Sequence, residues 1–154
     1  MHVKDLAAEP PRRWTEELGG IRWLPRLIDK TRAAHAGRLG DYLYGQSPVD
    51  RALLRALGLG YGDFSAVVRG APDDDAVLNE VERAQPAGVL RARRWSDALP
   101  RTHRAFLFFI DLDDGYLGGP WALLKRPANT ASGWFTRWLK RRFPLRAPGA
   151  APRL

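Results

Sequence analysis

Apolar residues recur at helical spacing through much of this chain, and the breaks in the pattern fall on residues that end helices. Leu24, Leu27, Ile28 and Thr31 follow the i, i+3, i+4, i+7 order of one helical face. Pro25 suits the first turn and Gly37 the left-handed cap, so a helix is predicted between them, with Arg26, Asp29, Lys30 and Arg32 along its solvated side or margin. A second helix is bracketed by Ser47 and Pro48 at its start and by Gly58 and Leu59 at its end, the pattern of a Schellman ending. Asp50 stands where a capping box wants an acid, and Leu53, Leu54 and Leu57 form the apolar stripe. Asp63 opens a short helix through Phe64, Val67 and Val68 that Gly70 closes. Asp73, Asp74 and Asp75 mark the first turn of another, where negative charge favours the helix dipole and Val77, Leu78 and Val81 face inward.

The flanks are less regular. Residues 1–23, interrupted by Pro10 and Pro11, read as an extended arm whose Trp14, Leu18, Ile21 and Trp23 strap the core. The connector 38–46 carries Tyr42 and Tyr44 between glycines and is long enough for a turn or a brief strand. Beyond a break at Pro86 and Gly88, a basic helix over 89–95 is expected to end at Pro100. The run AFLFFI at 105–110 fits a buried strand or a buried helix; with no partner strand nearby, a helix beginning near Pro100 is expected. Residues 115–133 read as a glycine, proline and serine rich linker. In 134–143 the aromatic residues Trp134, Phe135, Trp138 and Phe143 share one helical half with Leu139, opposite Arg137, Lys140 and Arg141, and only Arg142 falls on the apolar side. The expected architecture is all-α: a helical domain over 1–114, built as a compact bundle of five or six short helices with an extended N-terminal strap. The linker, the C-terminal amphipathic helix and a disordered tail over 144–154 complete the chain.

The strings LPRLIDKTRA at 24–33 and GRLGDY at 37–42, the helix containing Asp50 and the acidic helix start at 73–75 together resemble a bacterial family known as domain of unknown function 5069, over residues 3–84. The resemblance implies a mostly helical, cytosolic domain. It brings no activity, no cofactor and no catalytic residue.

Charge changes the picture of the second half. Residues 1–84 hold twelve Lys and Arg against thirteen Asp and Glu, whereas residues 85–154 hold thirteen against four, so the net charge of +8 belongs to the C-terminal half. Such asymmetry points to an acidic partner: an anionic membrane or an acidic protein, with nucleic acid less favoured because the aromatic and basic groups of 134–143 segregate. Packing of the aromatic half against the core, or self-association with a second copy of the chain, is the competing reading. The chain lacks cysteine, which excludes disulfides and thiolate chemistry. It shows neither an apolar leader nor a run of ~20 apolar residues, so a cytoplasmic location, peripheral at the inner membrane face, is expected.

Chemistry-bearing motifs are sparse. The glycines at 58, 60 and 62 follow a helix rather than a strand, which argues against a phosphate loop. The acids at 111, 113 and 114 miss the spacing of a calcium loop. His2, His35 and His103 are scattered singly, so no metal site, cofactor or catalytic residue is assigned. The best polar cluster is Arg26, Asp29, Lys30, Asp41, Tyr42 and Asp50, which reads either as a ligand pocket or as a salt-bridge and capping network that fixes the fold. The functional expectation is a non-enzymatic binding or adaptor module whose segment Trp134, Arg137, Trp138, Lys140, Arg141 and Arg142 meets an anionic surface. The alternative is a small-molecule-binding protein or enzyme using the polar pocket.

Overall fold

The structure, a computed structural model that describes residues 3–45 and 47–142, is all-α apart from one small hairpin. The N-terminal arm runs into strands β1 (Glu17–Leu18) and β2 (Ile21–Arg22), paired antiparallel as Glu17 with Arg22 and Leu18 with Ile21. Their two-residue turn is Gly19-Gly20, both at positive φ, the combination a type I′ turn requires. The strap expected from the apolar residues is thus partly a hairpin. Arg93 and Ser96 donate hydrogen bonds to the carbonyls of Gly19 and Gly20, pinning the turn.

Seven α-helices complete the described residues: α1 (Leu24–His35), α2 (Pro48–Leu57), α3 (Tyr61–Gly70), α4 (Asp74–Ala84), α5 (Pro86–Thr102), α6 (Arg104–Asp114) and α7 (Lys125–Arg142), with a 3₁₀ segment Gly119–Leu124 before the last. The core joins Leu24, Leu27 and Ile28 of α1 to Leu53 and Leu57 of α2, and to Phe64, Val68, Val77, Val81, Val89 and Leu99 of α3 to α5. Every apolar stripe expected for the first four helices contributes to it.

Both ends of α2 and the start of α4 match the residues that signalled them. Ser47 accepts from the Asp50 N–H, and the Leu59 N–H reaches the Leu54 carbonyl around left-handed Gly58. The Asp73 carboxylate accepts from the Ala76 N–H. At α3 the helix opens at Tyr61, before Asp63, whose carboxylate reaches back to the Gly60 N–H. The capping box expected at α2 is only half made, because the Asp50 carboxylate is engaged elsewhere.

The C-terminal half departs further from expectation. The basic helix does not end at Pro100 but runs through it to Thr102, since a proline there removes a single donor, and His103 N–H bonds to Leu99 to complete the turn. AFLFFI is helical, within α6, which begins at Arg104 rather than near Pro100, and the expected burial holds for Leu107 alone, since Phe106, Phe108 and Phe109 are exposed. The expected linker is helical from Gly119 onward, and Pro127 is tolerated because it falls in the first turn of α7, where no N–H is needed. The C-terminal helix therefore begins nine residues before Trp134 and packs against α6. Phe143 and the expected tail over 144–154 lie outside the described residues.

Helices α2 and α5 meet closely at Gly88. A Cβ there would sit 1.9 Å from the Leu57 carbonyl oxygen, so the approach leaves no space for a methyl group. Gly88→Ala is expected to destabilise by ~1–3 kcal/mol or more. Gly62→Ala in α3, where a Cβ would meet open space, is expected to be neutral or to stabilise by up to ~1 kcal/mol. Urea denaturation of both variants checks the contrast.

Candidate functional site

Helix α1 positions the site. Its apolar face, Leu24, Leu27, Ile28 and Thr31, enters the core, yet Arg26, Asp29 and Lys30 are buried as well. The expectation that they line a solvated side is wrong, because elements distant in sequence cover them with complementary charge. Asp29 accepts from the side chain and backbone N–H of Arg12 on the arm, and Arg12 and Arg32 both pair with Asp74 at the start of α4.

The third face stacks Trp23, Arg26 and Lys30. Trp23 precedes the first turn of α1 with φ of 69°, a left-handed conformation costing an indole side chain ~1–3 kcal/mol, and its surroundings hold it there. Its ring is in the core, and its indole N–H donates to Asp50 at 2.8 Å. Lys30 Nζ lies 2.6 Å from the same Asp50 oxygen. Burial pushes the lysine pKa down while Asp50 pulls it up. Arg26 is sandwiched over the rings of Trp23 and Tyr42, 5.3 and 5.6 Å from their centres, and its Nη1 donates to Asp114 at 2.6 Å. Tyr42 donates to the other Asp114 oxygen at 2.7 Å, and burial, reinforced by that carboxylate, raises its pKa so that the hydroxyl stays protonated.

Above this layer lies a cavity of about 860 Å³ between the arm, the connector, α6 and α7. Its walls are largely apolar, with Leu6, Trp23, Phe106, Phe109, Ile110 and Phe135, and Arg26, Lys30, Tyr42 and Asp114 form the floor. Of the six residues expected to form a pocket, Arg26, Lys30, Asp41 and Tyr42 line this cavity. Asp29 faces the arm instead, and Asp50 lies fully buried behind Lys30. Asp41 sits at the rim, paired with Arg137 of α7.

The reading of local sequence missed the aromatic wall of α6 and the acid that holds Arg26. A signal was present: Asp111 and Asp114 occupy the C-terminal turn of α6, where the helix dipole disfavours negative charge, so each needs a cation from elsewhere. Arg13 supplies the one for Asp111 and Arg26 the one for Asp114. Neither His35 nor His103 lines the cavity. His35 Nε2 lies 2.7 Å from Ser65 Oγ, a buried hydroxyl of α3, and ties α1 to that helix. The described residues hold no cluster of three or more side chains able to ligate a metal.

The sequence match agrees with this architecture. The model of the family described as Domain of unknown function (DUF5069) matches residues 8–105, and the chain belongs to that family. The match extends through α5, beyond the segments that carried the resemblance, and stops at the start of α6. A search of the curated proteins found no match. The cavity is therefore composite: Trp23, Arg26, Lys30 and Tyr42 come from the family domain, whereas Phe109, Asp114 and the α7 wall come from the C-terminal elements beyond it.

The Lys30 and Asp50 pair yields a direct prediction. Asp50→Asn keeps an acceptor for Trp23 but leaves a buried ammonium without a counter-charge, at an expected cost of ~3–5 kcal/mol. Lys30→Met combined with Asp50→Asn is expected to recover most of that loss. A double-mutant cycle by urea denaturation measures the coupling, and additive effects would contradict it.

Proposed function

We propose that the protein binds a small, largely apolar organic molecule with a polar end, held in the cavity between the family domain and α6 and α7. The observation that carries this reading is the combination of aromatic walls with a charge-compensated floor. Arg26 is neutralised by Asp114 and Lys30 by Asp50, so a strongly charged ligand finds no unmatched counter-ion there, while Trp23, Phe106, Phe109 and Phe135 offer apolar surface. Burial of such surface favours binding by ~25 cal/mol per Å². The volume lies within the ~300–1,000 Å³ usual for sites that enclose a metabolite-sized or drug-sized ligand. Tyr42 donates its proton to Asp114, leaving its oxygen to accept from the ligand's polar end. The adaptor reading rests on a separate feature, the face of α7 turned away from the body.

A thermal-shift screen with neutral and amphipathic aromatic and aliphatic compounds tests the proposal. A bound compound at one hundred times its Kd is expected to stabilise the protein by ~2.7 kcal/mol. Ser132→Trp, which places an indole in the cavity, is expected to unfold cooperatively and to lose that response. Stabilisation by the same compound that persists in Ser132→Trp would contradict the assignment, as would a screen in which only multiply charged ligands act.

A further inference from the structure

Helix α7 meets the connector through part of its polar side. Gly133, Thr136, Arg137 and Lys140 share one helical face and meet the connector: Thr136 is buried, Arg137 pairs with Asp41, and Lys140 donates to the Gly40 carbonyl at 2.8 Å. A Cβ at Gly133 would lie 2.9 Å from the Asp41 carboxylate, so only glycine allows this approach without a shift. The tryptophans are turned out: Trp134 is 67% exposed and Trp138 47%, and Arg141 and Arg142 are exposed one turn further on, while Phe135, stacked against Trp138, belongs to the cavity wall. The usual arrangement, with the aromatic face on the body, is not kept, since the tryptophans share the solvent-facing surface with Arg141 and Arg142.

We propose that this outward face docks on an anionic lipid bilayer. Tryptophan favours the interfacial zone of a membrane, and an amphipathic helix lying in that zone buries its aromatic face among headgroups and upper acyl chains. Arg141 and Arg142 stand beside the tryptophans, where each cation near an anionic leaflet strengthens binding about fivefold. Charge also decides against a second copy of the chain. Lys125–Arg142 contains six Lys and Arg and no Asp or Glu, so a second copy of α7 offers no acid to Arg141 and Arg142. No helix among the described residues is long and apolar enough to cross a membrane, which fits contact in the plane of the surface. This inference stands independently of the cavity, whose ligand response serves as a control.

Co-sedimentation of the full chain with phosphatidylcholine vesicles, with and without phosphatidylglycerol, is the test. Binding is expected only with the anionic lipid and is expected to weaken as salt is raised. Trp134→Ala with Trp138→Ala, and separately Arg141→Gln with Arg142→Gln, are each expected to reduce partitioning at least tenfold with little change in the unfolding midpoint. Lack of binding to the anionic vesicles would overturn the proposal. So would binding that survives the tryptophan variant, a lipid-indifferent dimer in sedimentation velocity, or association with a single-stranded oligonucleotide in place of vesicles. If the tryptophan variant fails to fold, Trp138→Lys alone, with the unfolding midpoint as control, decides between core and interface.

Discussion

A buried guanidinium has to be met by an acid, and the meeting of Arg26 with Asp114 is the contact on which the second half of this molecule depends. Arg26 belongs to the central helix of the family domain. Asp114 closes α6, eighty-eight residues later. The pair fixes where α6 lies, and α6 in turn supports the 3₁₀ segment and α7. Arg13 with Asp111, Tyr42 with Asp114 and the Tyr116 hydroxyl on the Pro11 carbonyl reinforce the same junction. Set against well-packed apolar residues, a buried ion pair contributes little net stability, yet breaking it is costly. Its effect here is positional, since a shifted α6 would leave two ionised groups unpaired.

Helix α1 shows how far local sequence carries and where it stops. Leu24, Leu27, Ile28 and Thr31 announced their buried face through spacing alone, and the capping residues Ser47, Gly58 and Asp73 announced helix ends, because both signals act within a few residues. Arg26, Asp29 and Lys30 looked like a solvated stripe for the same reason. Their partners Asp114, Arg12 and Asp50 come from other elements, and no local period records them. Pro100 and the stretch 115–133 misled in the opposite direction. Proline and glycine weaken a helix statistically, but a proline in the first turn or near the end costs little when tertiary contacts favour the helix.

The candidate site was legible in part. Arg26, Lys30, Asp41 and Tyr42 do converge on one cavity, and the ion pairs of Arg26 and Lys30 form its floor. The aromatic wall was not legible, because the run holding Phe106 and Phe109 reads as buried, whereas in the structure only Leu107 of it is and the two phenylalanines open onto the cavity. The orientation of α7 was equally hidden. Its amphipathic pattern was plain, but which side meets the body depends on Asp41 and the Gly40 carbonyl of the connector, the groups with which Arg137 and Lys140 pair.

If the Arg26 and Asp114 contact is what docks the C-terminal elements, its removal must be felt there first. Amide hydrogen exchange on Asp114→Asn measures this most directly. Exchange is expected to accelerate across α6 and α7, by an amount equivalent to ~3 kcal/mol of local opening, while α2 to α5 keep their wild-type protection. An equal rise in exchange across all helices, or none in α6, would contradict the account.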